Sequence, residues 1–445
     1  MRMTLPPRPA PRALIALRAV PLAALLLAAC RTVDRGAASP GDAADRIRRD
    51  IAYLADDRLE GRGTGTAGND SAAAWLARRH RELKLVPMIT GSCPEARCLT
   101  YIQGFTARGA ELAHAGKPEG VATQNVVAMA PGWDRALAGK EVVVIGAHFD
   151  HLGRSPANAL DPQAKDAIRN GADDNASGTA AVLELARRFA ANPARRAVVV
   201  VHFTGEELGL LGSQWFVEHS PVPLDGIMAM VNFDMVGRLR NDRLIVYGAA
   251  TAREFPALID SANAEPKLRI NAVGDGFGPS DHSAFYAKGI PVLHFFTDLH
   301  EDYHRATDDV ERIDAAGEAR VVAVAERVVR AIADRPGRLT PVRVAAPTMA
   351  PAREGSNVYL GTIPDMASSD VPGLRLTGVR AGSPADKGGL AAGDVIVGFA
   401  GRTVKDLYSY SEALYAQKPG DDVEVVYLRG GARRTTRVTL GTRGQ

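Results

Sequence analysis

Two histidines and a set of carboxylates stand in this chain where apolar runs end. His148 and Asp150 follow 141–147, Glu206 and Glu207 follow 196–204, Asp234 follows 227–233, and His304 comes after 290–296. Asp173 lies in an acidic turn, Gly171-Ala172-Asp173-Asp174-Asn175-Ala176-Ser177-Gly178. Imidazole and carboxylate are good zinc ligands, and two ions roughly 3.5–4 Å apart need one carboxylate that gives an oxygen to each. Amide hydrolysis at such a pair needs a further carboxylate, held off the metals, to take a proton from water and hand it to the leaving amine. The adjacent Glu206 and Glu207 can divide that labour, because neighbouring side chains at a strand end point in different directions. Singly, each motif has a plainer reading. Asp, Asn and Ser cap helix starts, a strand-terminal His-x-Asp is more often structural than ligating, and Glu-Glu before a helix usually caps it. Their succession, each at a strand end, is what favours chemistry.

These positions need a frame that gathers strand ends. Residues 43–55 and 68–85 show helical spacing, with Ile47, Ile51 and Leu54 on one face and Trp75, Leu76, Leu83 and Leu85 on another. The Gly-rich 59–64 lacks a preceding strand and a following Gly-Lys-Ser/Thr, so it reads as a turn near a pocket rather than a phosphate loop. From Asn125 strands alternate with helices: strands 141–147, 196–204, 227–233, 244–247 and 290–296, helices 176–191, 208–219, 252–262 and about 315–334. The expected fold is α/β, a mostly parallel mixed sheet sandwiched by helices, with ligands collecting at the carboxyl ends of the strands. Pro336, Pro341, Pro347 and Pro351 mark a linker. Beyond it come short β segments, Gly turns and one amphipathic helix, a small β-rich second domain.

Gly146-Ala147-His148-Phe149-Asp150, the acidic turn, Thr204-Gly205-Glu206-Glu207-Leu208-Gly209, Asn232-Phe233-Asp234-Met235 and Tyr303-His304 before Asp308 together resemble the co-catalytic zinc peptidases of metallopeptidase family 28, typically aminopeptidases. The resemblance spans about residues 43–335 and implies the zinc exopeptidase fold and two Zn2+ per chain. Motif by motif, it implies that Asp173 bridges the ions, that Glu207 and His304 complete one and that His148 and Asp234 complete the other. It further implies that Glu206 is the general base, that Asp150 orients the His148 ring, that Tyr303 steadies the tetrahedral oxyanion, and that the Asp173-Asp174 peptide is cis. His282, in Pro279-Ser280-Asp281-His282-Ser283-Ala284-Phe285, is expected as a pocket wall or supporting residue. His151, His202, His219, His294 and His300 are read as structural or exposed. Residues 354–445 resemble a bacterial PDZ domain through Tyr359-Leu360-Gly361, Ala381-Gly382-Ser383-Pro384-Ala385 and Gly389-Leu390-Ala391-Ala392-Gly393-Asp394-Val395-Ile396. That resemblance implies either a groove holding the C-terminal carboxylate of a peptide ligand, lined by the helix near 407–416, or a packing module without ligand.

At 445 residues, 46% hydrophobic and 24% charged, the chain has the make-up of an ordinary globular protein with a sizeable core. The net charge of +3 is owed to Arg2, Arg8, Arg12 and Arg18 in an acid-free start. Without them the balance is about −1, which argues against nucleic acid as a partner. The apolar 13–27 ends in Leu27-Ala28-Ala29-Cys30, which resembles a lipoprotein signal. A simple secretory signal and an uncleaved anchor helix are the alternatives. The expected organisation is a signal peptide over 1–29, a tether over 30–42, the catalytic domain over 43–335, the linker over 336–353 and the PDZ domain over 354–445. Contact with a membrane is expected only through the lipid on Cys30, at the bacterial cell envelope. Cys93 and Cys98, in an exported chain, read as a local disulfide.

The leading functional reading is a dizinc aminopeptidase acting on peptides. A glutaminyl-cyclase-like acyltransferase, which in relatives of this fold uses one zinc, and a non-catalytic envelope adaptor are the rivals. The complete set of histidines and acids favours the hydrolase.

Overall fold

The computed structural model describes residues 40–91, 98–109, 112, 117, 119–155, 158–161, 163–344, 358–364, 372–380, 382–405 and 407–442. The expected signal peptide, Cys30, Cys93 and the second half of the linker, 345–353, lie outside these residues. Cys98 is disulfide-bonded. Helix α1 (Pro40–Leu54) buries Ile47, Ile51 and Leu54 completely, as its spacing predicts. Helix α2 (Ala67–Glu82) starts at Thr66, whose side chain accepts the Asn69 N–H. After it come β1 (Val86–Pro87), a short hairpin of β2 (Ile89–Thr90) and β3 (Leu99–Thr100), then β4 (Ile102–Ala107) and β5 (Val121–Ala130). The alternating part follows: β6 (Val142–His148), α3 (Gly178–Ala191), β7 (Ala197–Phe203), α4 (Leu211–Glu218), β8 (Ile227–Phe233) and β9 (Arg243–Tyr247). It ends with α5 (Phe255–Ala262), β10 (Arg269–Ala272), α6 (His282–Ala287), β11 (Val292–Phe296) and α7 (Ala315–Asp334).

The main sheet runs β1-β5-β7-β6-β8-β11-β9-β10, with β4 beside β5. Its centre, β7-β6-β8-β11, is parallel throughout. Antiparallel partners enter on both sides, β5 on β7 and β9 on β11. Every residue of the four central strands is buried, which is why they read as unbroken apolar runs. Side chains alternate between two cores. Val143, Ile145 and Ala147 join Val182, Leu185, Val321 and Val328 beneath α1, α3 and α7. Val142 and Val144 join Phe203, Phe216 and Phe285 beneath α4 and α6. Each such side chain contributes about 1.5–3 kcal/mol on burial, so the sheet centre is the stiff part of the molecule. Four parallel strands thereby present their carboxyl ends together, and a residue placed just after each of them faces the same region.

The C-terminal region is a separate small β structure. Strands β12 (Val358–Tyr359), β13 (Thr362–Pro364) and β14 (Leu374–Val379) lead to the turn α8 (Pro384–Lys387). Then come β15 (Val395–Phe399), β16 (Arg402–Thr403), α9 (Leu407–Tyr415), β17 (Asp422–Arg429), β18 (Ala432–Thr439) and β19 (Gly441–Thr442). Leu376, Ile396, Phe399, Ala413 and Val425 form its core. Arg429 grips the buried Asp394 with both nitrogens at 2.7 Å.

Between α2 and β7, the rings of His80 and His202 stack at 5.1 Å, wholly buried, with no hydrogen-bond partner for either ring among the described residues. Burial holds His80 neutral down to about pH 3 and pulls His202 well below its ordinary value. The unfolded chain takes up these protons near pH 6.5. Stability is therefore full above that pH and falls as the pH drops towards 3, each ring adding a slope of about 1.4 kcal/mol per pH unit. Urea unfolding at pH 7, 5.5 and 4 is expected to show this slope in the wild type and a clearly smaller one in the His80→Leu/His202→Leu variant. Equal slopes would refute the assignment.

Candidate metal centre

His148 is the last residue of β6, and its carbonyl accepts the Thr179 hydroxyl of α3 at 2.8 Å. Its Nδ1 faces the Asp150 backbone carbonyl at 3.2 Å and the Asp150 carboxylate at 3.6 Å, which turns Nε2 outward. The Asp150 carboxylate is itself fixed by the Thr64 hydroxyl at 2.8 Å and the Glu206 N–H at 3.3 Å, so the Gly-rich turn does border the pocket. Asp234 follows β8 directly. The Ser280 hydroxyl donates to its Oδ2 at 2.8 Å and takes an N–H from Asn232 at 2.8 Å. Oδ1 is left 3.4 Å from His148 Nε2. His282 stands behind, stacked on His294 at 4.5 Å and fully buried, in keeping with a supporting place.

The acidic turn corrects one expectation. Asp173 is not the carboxylate between the two histidines. Its N–H and that of Asp174 both donate to Asp308 Oδ2, at 2.9 and 3.0 Å. With both amides aimed at one oxygen, the side chains diverge. Asp173 accepts the Gly237 N–H at 2.7 Å and faces His300 at 3.1 Å, behind the site. Asp174 points forward, with Oδ1 3.4 Å from His148 Nε2 and Oδ2 3.2 Å from His304 Nε2. The cis peptide bond is likewise one residue later than expected, between Asp174 and Asn175. Gly171 opens the turn at φ 58°, where an added Cβ would meet the Asp174 carbonyl at 2.0 Å and the His151 ring at 2.4 Å, so only glycine fits.

His304 Nε2 also lies 3.2 Å from Glu207 Oε2, and its ring stacks on Tyr303 at 3.9 Å. Two trios result, His148/Asp234/Asp174 and His304/Glu207/Asp174, with one Asp174 oxygen in each. The donor atoms of His148, Glu206 and Asp234 lie within 4.8 Å of one another, as do those of His151, Asp174 and Glu207. His151 belongs to this centre and is not a remote structural histidine: its Nδ1 is 2.7 Å from Glu207 Oε1, which leaves Oε2 to face His304. Its signal in the sequence was its place in the loop after β6, one residue beyond Asp150.

Burial opposes every charge here, and the neighbours decide the outcome. His148 would be depressed by burial, but Asp234 and Glu206 raise it well above its ordinary value. Glu207 and Asp174 do the same to His304. Asp174, despite burial, is driven well below by His151, His148 and His304, and Glu207 falls to about 2, chiefly through His304. Glu206 moves the other way, raised well above by burial with Glu207 and Asp234 adding to it against His148. Adjacent carboxyls pushed apart in this way mark a division into ligand-type and acid/base-type groups. Burial and the surrounding carboxylates keep the Tyr303 phenol protonated.

The donor set fits zinc. His148 Nε2 and Asp234 Oδ1 are buried and lack hydrogen-bond partners, and they face each other as two ligands of one cation do. Residues 125–329 match the family profile of Peptidase family M28, and residues 358–440 that of a PDZ domain. The chain carries an M28 peptidase domain followed by a PDZ domain. The chain is 29% identical to aminopeptidase YwaD of Bacillus subtilis strain 168 over 202 residues, 42% of this chain and 41% of YwaD. The match thus spans less than half of that relative's length. Among solved structures, the Zn-dependent exopeptidase of Parabacteroides distasonis superposes with a TM-score of 0.52 at 19% identity, covering 64% of this chain and 97% of that one. The glutaminyl cyclase of Bacteroides thetaiotaomicron gives 0.51 at 16%, covering 64% and 97%. At such identities these likenesses establish the fold.

The loops of the M28 domain are pinned by Arg62, whose guanidinium is fully buried. It donates to the carbonyls of Phe149 at 2.7 Å, Asn170 at 2.7 Å and Gly171 at 3.1 Å, and to that of Leu54. Arg62→Met leaves these carbonyls buried without donors and is expected to cost at least about 3 kcal/mol in urea unfolding. Arg62→Lys should recover only part, since one nitrogen replaces three.

Proposed function

We propose that the chain is a dizinc metallo-aminopeptidase that removes N-terminal residues from peptides. The observation that carries this reading is the division of Asp174, one oxygen towards His148 and the other towards His304. His148 and Asp234 would hold one ion, His304 and Glu207 the other, and Asp174 both, taking the place that the family resemblance implies for Asp173. When bound, the ions supply a water of lowered pKa and a clamp for the developing oxyanion. Asp150 keeps His148 turned to present Nε2, and His151 keeps Glu207 turned to present Oε2. Glu206, raised in pKa by burial, takes the proton of the attacking water and returns it to the leaving amine. The protonated Tyr303 phenol is the donor proposed for the oxyanion. The expected lipid anchor on Cys30, and with it a place at the cell envelope, belongs to the same proposal.

The fold shared with a glutaminyl cyclase provides a second reading. Two complete trios favour the hydrolase, and metal stoichiometry separates the two. Glu206→Gln is expected to retain two zinc ions per chain by elemental analysis and to lose about 10²–10⁴-fold in kcat on aminoacyl-nitroanilides. One zinc with cyclisation of N-terminal Gln peptides would establish the cyclase instead. The two aspartates give a paired test. Asp174→Asn should bind less than two zinc ions, whereas Asp173→Asn should keep both, and the reverse result would return the bridge to Asp173.

A further inference from the structure

A cavity of about 700 Å3 is lined by Arg305, the residue after His304. One wall is Ala159, Leu160 and Arg305, and the facing wall includes Arg380, Lys387 and Arg437 from the PDZ domain. Among the described residues, no carboxylate lines it. Among the described residues, none of strand β13 or helix α9, which flank the usual PDZ peptide groove, lines it either. Arg437 is paired with Asp422 at 2.9 Å. Arg305 and Lys387 have no carboxylate partner among the described residues, and Arg305 Nε is buried without a hydrogen-bond partner. A buried guanidinium nitrogen left unpaired costs about 1–3 kcal/mol or more.

The wall also connects directly to the metal centre. Arg305 follows His304, Leu160 N donates to the His304 carbonyl at 2.9 Å, and His304 Nδ1 lies 2.9 Å from the Asn158 carbonyl. An occupant of the cavity therefore rests on the segment that orients His304. The volume exceeds what an inorganic anion fills and lies in the range of ligand pockets. Leu160, Pro384 and Val438 give it an apolar lining fit for a side chain.

We propose that this cavity binds the C-terminal carboxylate and last side chain of the peptide substrate, so that the enzyme reads peptides with a free C-terminus. This rests on the aminopeptidase reading above. The test uses the zinc-loaded full chain with matched Leu-initiated peptides of three to six residues, each as free acid and as C-terminal amide, and leucyl-nitroanilide as a substrate without a carboxylate. Wild type is expected to favour acid over amide by about tenfold or more in kcat/KM at one peptide length, the worth of one charge-assisted contact. Lys387 is exposed, so Lys387→Glu is expected to fold. That variant should raise KM for the acids about tenfold, leave kcat, the amides and the nitroanilide unchanged, and so abolish the preference. Arg305→Gln should also abolish the acid/amide preference. Equal use of acids and amides, with the nitroanilide turned over, would overturn the carboxylate site alone. A cavity that serves a phosphate-type anion would show competition by inorganic phosphate, lost in Lys387→Glu, without acid/amide discrimination, and that too overturns the proposal. No turnover of nitroanilide or any peptide would overturn the aminopeptidase reading beneath it.

Discussion

The candidate metal centre depends on a single buried oxygen. Asp308 Oδ2 receives the amide hydrogens of both Asp173 and Asp174, and Arg238 neutralises the same carboxylate from its other oxygen at 3.3 Å. Backbone amides that converge on one acceptor cannot also carry parallel side chains. One aspartate must leave to the rear, where Gly237 and His300 meet it, and the other to the front, where two histidines do. The identity of the forward carboxylate is therefore a backbone decision, made across 135 residues by Asp308, and Gly171 makes the turn possible by admitting the His151 ring where a Cβ would stand.

A cluster of this kind is unfavourable in isolation. Carboxylates and imidazoles are buried together, and several of their atoms have no hydrogen-bond partner. The rest of the domain sets the conditions under which it persists. The parallel strands β7-β6-β8-β11 are buried along their whole length, so their ends cannot drift apart to relieve repulsion. Arg62 then ties the two ends of the long connection after β6 to each other and to the end of α1 through four carbonyls. Held in place, the acids draw protons onto His148 and His304, which balances part of their charge. A divalent ion does the same by replacing those protons, so its affinity must weaken as the pH falls.

What could be read from the sequence follows where burial is complete. Central strands and the long helix α7 declare themselves because burial on both faces, or along one stripe, leaves a repeating apolar pattern; β8 and α7 end where that pattern ends. Strand β4 does not, since its residues are partly exposed and its pattern is mixed, and the antiparallel margin it forms with β5 went unseen. In the site, His148, Glu206, Glu207, Asp234 and His304 were legible as residues at strand ends. The choice between Asp173 and Asp174 was not, because the turn has no period and its direction is fixed by Asp308, far along the chain. Arg62 and Ser280 were invisible for a similar reason: their partners are carbonyls and carboxylates brought near only by the fold.

The same non-local wiring bears on how recognition and chemistry are coupled. His304 is held through its ring by the Asn158 carbonyl and through its own carbonyl by Leu160 N–H, so the 158–160 segment fixes the histidine at two points. Glu207 is tied to this segment as well, through the side-chain amide of Asn158 on its carbonyl at 3.4 Å. Half of the candidate centre, His304 and Glu207, therefore rests on a loop that also lines the neighbouring cavity, whereas the other half, His148 and Asp234, rests on the ends of β6 and β8. One half is set by the rigid sheet and the other by a surface that a ligand can press on. Such an arrangement lets occupancy of the cavity bear on the geometry of one ligand trio without disturbing the other, with Asp174 as the shared member through which any adjustment must pass.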